Sequence, residues 1–179
     1  MIHINGYTLS DDIIEKMVDL LEKSRIEQIE YGCVIYATLT NKNLMLRNIC
    51  SGDISSVSID GKYENGYGEL VGDYHTHLGK ELPSFFDLDF DNIGNYNELK
   101  FIGGATTDKI KCYAIKKIDL DFLNGISKLE QMFHDAILKY AERSYSDKDK
   151  RRITEEFINV HDESMNKLID EYFDVIEIV

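Results

Sequence analysis

His75 and His77 are the residues of this chain best placed to do chemistry. One residue, Thr76, separates them, and they close an apolar run from Gly68 that reads as a β-strand. Side chains two apart on a strand point to the same side, so the spacing predicts both imidazoles in one pocket. Imidazole is a good zinc ligand, and a catalytic zinc takes three protein ligands and keeps a position for water. Asp87 follows ten residues after His77 and offers a carboxylate that a loop can return to the same ion. Bound zinc lowers the pKa of its water to about 7, which supplies hydroxide at neutral pH. The histidine pair alone would equally describe two structural histidines. The Pro83-Ser84-x-x-Asp87 frame beside it tips the reading to a metal site.

The elements that must position these groups follow from periodicity and turn residues. Ile2–Ile4 reads as a short edge strand. Ser10 is a helix N-cap with Asp11 and Asp12 in the first turn. Ile13, Ile14, Met17, Val18, Leu20 and Leu21 then form one apolar helical face that ends near Arg25. Tyr31–Leu39 and Leu44–Ile49 read as strands around a turn at Asn41–Asn43. Ser56–Ile59 alternates like a strand before a turn at Asp60-Gly61. Gly68–Tyr74 is the strand that runs into His75. Leu78–Pro83 is a loop, and Ser84 caps a short helix through about Asn95. Lys100–Gly103 and Ile110–Ile115 are two more strands, with Gly103-Gly104 read as a bulge or turn. From Asp119 the pattern is helical. One stripe runs Phe122, Ile126, Leu129, Phe133, Ile137; the other runs Ile153, Phe157, Val160, Leu168, Tyr172, Ile176, after a polar break at Ser144–Lys148. Such stripes predict a helical hairpin that covers the sheet or a partner subunit. The class is α+β.

The chemical residues resemble the signature of the JAMM (JAB1/MPN) zinc metalloprotease family: His75-x-His77, then Ser84-x-x-Asp87, with an upstream glutamate that opens an apolar strand. Glu30-Tyr-Gly-Cys-Val-Ile35 has the form of that strand. Phe101-Ile-Gly-Gly104 and Lys109–Lys116, with Tyr113, resemble the strand pair that follows the motif in prokaryotic members. Two departures stand out. Six residues separate His77 from Ser84 where the family has seven, and Leu78 stands where the family usually has proline. The resemblance covers residues 1–118. It implies a JAB1/MPN-like mixed sheet with helices packed on it, a three-layer architecture of the cytidine-deaminase-like kind. Residues 119–179 form a C-terminal helical extension that it does not explain. It further implies that His75, His77 and Asp87 hold zinc. Glu30 takes a proton from the attacking water and passes it to the leaving amine. Ser84 donates to the developing oxyanion or positions the water. The implied reaction is hydrolysis of a peptide or isopeptide bond, often after the C-terminal glycine of ubiquitin or a ubiquitin-like protein. By itself Glu30 reads as a solvated residue at a strand start, and Glu27 is a weaker substitute in the same role.

The remaining sequence sets bounds. The chain has 179 residues and a formal net charge of −13, from 33 acidic and 20 basic side chains. That balance excludes an extended phosphate-binding face, which needs clustered Lys and Arg, and it attracts basic partners. Cys33, Cys50 and Cys112 are odd in number and lie in apolar runs without CxxC spacing, which predicts free thiols and a cytoplasmic setting. No apolar run approaches the roughly 20 residues of a membrane span, and no signal peptide is expected at the N-terminus. The helical extension suits a homo-oligomer. His3, His134 and His161 lack metal-spaced partners, and Asp89 and Asp91 are alternative ligands only in another helix register. Asp73 shares a strand face with the histidine pair and is expected to orient a ligand imidazole.

Two other functions compete. One is a non-catalytic scaffold of the same fold. The other follows from Asp73-Tyr-His-Thr-His77, which also resembles the opening motif of PHP-type phosphoesterases. Those barrels need further histidines and typically ~250 residues, whereas about 100 residues remain here.

Overall fold

A computed structural model of the chain describes residues 1–59, 68–88, 98–142 and 145–179. They form two compact units. The first holds Met1–Leu82, the strands leading to Ile115, and Asp174–Val179; the second holds the segment that begins at Pro83, and Lys116–Phe173.

The first unit opens on a hairpin of β1 (Ile2–Ile4) and β2 (Tyr7–Leu9). Its two loop residues, Asn5 and Gly6, both have positive φ, at 47° and 84°. That is the backbone a tight two-residue hairpin turn demands and the reason for Asn-Gly there. Helix α1 (Asp11–Glu27) follows Ser10 and runs two residues past the expected end at Arg25. Six strands then make one mixed sheet: β3 (Tyr31–Ala37), β4 (Leu44–Ser51), β5 (Glu69–His77), β6 (Leu99–Gly104), β7 (Lys109–Ile115) and β8 (Phe173–Glu177). Their order is β4-β3-β5-β6-β7-β8. β5 and β6 pair parallel, while β3–β4, β3–β5 and β6–β7 pair antiparallel. A parallel pair needs a crossover connection, and the stretch between His77 and Leu99 supplies it.

One face of this sheet is covered by α1. Ile13, Met17, Leu20 and Leu21 form a single buried cluster with Tyr31, Cys33, Ile35, Ala37, Tyr74, Phe101 and Cys112. A fully buried Ile, Leu, Met or Phe side chain contributes about 1.5–3 kcal/mol, so this cluster is a large part of what holds α1 on the sheet. The residues that alternate with it on β5 and β6 (Asp73, His75, His77; Lys100, Ile102) therefore point to the opposite face.

The second unit pairs α2 (Leu120–Ala141) with α3 (Asp147–Tyr172). Asp119 caps α2 by accepting from the Phe122 amide, and Ser146 with Asp149 forms a capping box on α3. Phe133 meets Phe157 at 5.9 Å between ring centroids, and Phe122 meets Tyr172 at 5.2 Å. Among the described residues there are three helices, and none is long and apolar enough to cross a membrane. The chain is thus α+β with a mixed six-stranded sheet.

Four local expectations change. Ile176 does not continue the last helical stripe, because Phe173–Glu177 is strand β8. Ser56–Ile59 is not a strand. The Asp53 carboxylate takes the amide hydrogens of Ser55 and Ser56, at 2.8 and 2.9 Å, and a turn results. Gly103 and Gly104 are neither bulge nor turn but paired residues of β6, opposite Thr76 and His77. Residues 85–88 form a turn after Ser84; the rest of the helix expected there, with Asp89 and Asp91, lies outside the described residues, as do Asp60-Gly61 and Ser144.

Candidate metal centre

The middle residue of the histidine pair explains the direction of the other two. Thr76 is fully buried on the α1 side. It accepts a hydrogen bond from the Tyr31 amide at 2.8 Å and donates to Ser24 Oγ at 2.9 Å. Ser24 donates in turn to the Ile29 carbonyl at 2.6 Å. This chain of donors ties the end of β5 to the start of β3 and to the last turn of α1. His75 and His77 are thereby fixed on the other face, with Nε2 of one 3.1 Å from Nε2 of the other. Two nitrogens bound at 2.0–2.1 Å to one tetrahedral ion would stand about 3.3–3.4 Å apart, so the spacing is close to that of two ligands on one metal.

Each ring is held from behind through Nδ1. His75 Nδ1 lies 3.2 Å from Asp73 Oδ1, and His77 Nδ1 lies 3.3 Å from the Lys80 carbonyl oxygen. A carbonyl and an ionised carboxylate only accept, so both contacts favour the Nδ1–H tautomer and leave the lone pair on Nε2. Asp73 occupies the orienting position expected of it. Its second oxygen accepts from Lys100 Nζ at 2.7 Å, and both groups are buried. Burial pushes the Asp73 carboxyl up, but the Lys100 ammonium and the His75 hydrogen bond outweigh it and leave it below the usual carboxylate range. Lys100 was not among the expected site residues. A lone lysine in an apolar strand gives no spacing signal, and only the parallel register of Asp73 with Lys100 exposes the pair.

The loop after His77 is tied to the β6–β7 turn. Ala105 donates to the His77 carbonyl at 2.9 Å and Thr106 to that of Gly79 at 3.1 Å. Thr107 Oγ1 and Lys111 Nζ approach the Glu81 carboxylate to 2.6 and 2.8 Å, and Tyr113 donates to the Glu81 carbonyl at 2.7 Å. Burial raises the Glu81 pKa, but the hydrogen bonds from Lys111 and Thr107 more than offset it and hold the group at about 2.

Glu30 is buried. Its amide donates to the Asp53 carbonyl and its carbonyl accepts from Gly52, both at 2.8 Å. Gly32 pairs with His75 across β3 and β5. The pairing of the two strands ends there, so Glu30 stands two residues before the β3 partner of His75. Glu27 is committed elsewhere, accepting from the Tyr31 hydroxyl at 2.5 Å. In the second unit Ser84 and Asp87 are joined directly. The Ser84 amide and hydroxyl donate to Asp87 Oδ2 at 2.6 and 2.8 Å, so one turn fixes both groups. The other histidines have local partners: His3 with Thr8, His134 with Glu130, His161 with Asp162. No family model matches the chain, and no curated protein matches it.

Proposed function

We propose that the chain is a zinc-dependent peptidase or isopeptidase of the JAMM type, with His75, His77 and Asp87 as metal ligands, Glu30 as general base and Ser84 as oxyanion donor. The observation that carries this reading is the 3.1 Å approach of His75 Nε2 to His77 Nε2, with both rings held through Nδ1 by acceptors. Two lone pairs at that separation repel unless a cation or proton lies between them. Two imidazoles and one carboxylate form a familiar donor set for catalytic zinc. When bound, the metal polarises the scissile carbonyl and makes water acidic enough to ionise near neutrality.

The chain's own residues do the rest. Glu30, buried just before β3, takes the proton of the attacking water and delivers it to the leaving amine. Ser84 steadies the Asp87 carboxylate through its amide and hydroxyl, and the hydroxyl leaves that bond to donate to the developing oxyanion. A histidine pair at the end of a central strand, and a glutamate just before the neighbouring strand, support a JAB1/MPN-like fold for residues 1–118. The substrate is a protein or peptide, and a ubiquitin-like C-terminus is the class the resemblance favours. The buried thiols of Cys33 and Cys112 support a reducing, cytoplasmic setting. Exposed Leu138 and Val160 on the two long helices support self-association.

The test is zinc content together with cleavage of an amide bond after a ubiquitin-like C-terminus. Wild type is expected to bind zinc and cleave, His75→Ala to lose the metal, and Glu30→Gln to keep the metal but lose cleavage. A chain that takes up no zinc and cleaves nothing overturns the reading in favour of a scaffold.

A further inference from the structure

Behind His75 lies a buried ion pair that the proposed chemistry does not use. Lys100, Asp73 and His75 are 3%, 3% and 5% exposed. They stand on adjacent parallel strands, with Asp73 opposite Lys100 and His75 opposite Ile102. Asp73 divides its carboxylate between the two neighbours: Oδ2 accepts from Lys100 Nζ at 2.7 Å, and Oδ1 faces His75 Nδ1 at 3.2 Å.

We propose that Lys100 is a positioning residue for the metal site, which acts through Asp73 to fix the ring orientation and tautomer of His75. The proposal rests on the metal reading above. An ammonium only donates and a carboxylate only accepts, so the direction of both contacts is determined: Lys100 to Asp73, and His75 to Asp73. With one oxygen on each neighbour, the carboxylate cannot rotate without breaking a contact. His75 therefore keeps its hydrogen on Nδ1 and its lone pair on Nε2, the atom turned to His77. His77 has a looser arrangement. It is half-buried, and its Nδ1 faces a loop carbonyl, that of Lys80, at 3.3 Å. His75 is thus the preset ligand, and His77 adjusts to it. Replacing a buried ion pair with apolar groups of similar size often leaves stability unharmed. Positioning gives this pair a role beyond stability.

The experiment compares wild type with Lys100→Met, Asp73→Asn and the double variant Lys100→Met/Asp73→Asn, which leaves neither charge buried alone. Circular dichroism establishes folding. Nitrogen-15 shifts of the metal-free protein, at a pH where His75 is neutral, report its tautomer. Competition with a chelator reports zinc affinity. Wild type is expected to show the Nδ1–H form. The folded variants are expected to gain the Nε2–H form and to lose 10–100-fold in zinc affinity, the range seen when an orienting partner of a metal ligand is removed. A folded double variant with the wild-type tautomer and affinity overturns the proposal. Unfolding of all three variants assigns the pair to the fold alone and also overturns it. A wild-type chain that binds no zinc overturns the metal reading instead, and the tautomer measurement then still decides whether Lys100 sets His75.

Discussion

His75 Nε2 lies 3.1 Å from His77 Nε2 because Thr76, between them, is turned the other way and bonded into the core. Thr76→Val keeps the shape of that residue and removes its hydroxyl. The Tyr31 amide and the Ser24 hydroxyl each lose a buried partner, and such losses cost about 1–3 kcal/mol. Urea unfolding should show a lowered midpoint with an unchanged slope. An unchanged midpoint would mean that the relay does not hold the strand.

Metal binding to the folded chain alone must raise its stability by mass action. Free zinc at about 100 times its dissociation constant adds roughly 2.7 kcal/mol. Thermal unfolding of the wild type should therefore rise by several degrees when zinc is supplied, and a chelator should reverse the rise. His75→Ala removes one of the two facing nitrogens and should abolish the increment. An equal increment in His75→Ala would place the ion elsewhere.

The parts of this site that were legible in the sequence are those set by local spacing. His75 and His77 share a face because any strand puts residues two apart on one side, and Ser84 and Asp87 meet because one turn separates them. Asp73 falls under the same rule. Lys100 does not, because its partner is 27 residues away and the contact depends on strand register. Strand β8 was hidden for a different reason. Ile176 follows Tyr172 by four, which continues a helical stripe, yet the chain changes period at Phe173 and enters the sheet. The hairpin partner β2 was not expected, and the signal that could have found it is the Asn5-Gly6 turn rather than the short run at Tyr7–Leu9.

Close packing of the loop after His77 gives a third prediction. A Cβ on Gly104 would lie 2.5 Å from the Glu81 amide nitrogen and 2.9 Å from the Lys80 carbonyl carbon. These are backbone atoms and cannot rotate away, so Gly104→Ala must displace the loop. A cost of about 1–3 kcal/mol is expected. The Lys80 carbonyl should also shift from His77 Nδ1, so zinc affinity falls together with stability. Gly79→Ala is the control, since a Cβ there meets nothing within 4 Å. If both variants behave alike, the approach at Gly104 is not what fixes the loop.

Glu81 gives that same loop a dependence on acidity. Its folded-state pKa of about 2 lies below the ordinary 4.5, because the hydrogen bonds from Lys111 and Thr107 outweigh the effect of burial. A carboxylate with a depressed pKa adds stability that is complete above its unfolded pKa and is lost as the pH falls through the folded one. The window therefore runs from about 4.5 down to about 2, and the contribution reaches at most about 3 kcal/mol. Glu81→Gln keeps an oxygen to accept from Thr107 but has no charge for Lys111. At pH 7 the variant should be less stable than wild type. Across the window the wild-type unfolding midpoint should fall more steeply, so that the two converge near pH 2. A gap that stays constant from pH 7 to pH 2 would separate Glu81 from the acid response. Convergence would instead locate that response in the loop that follows His77.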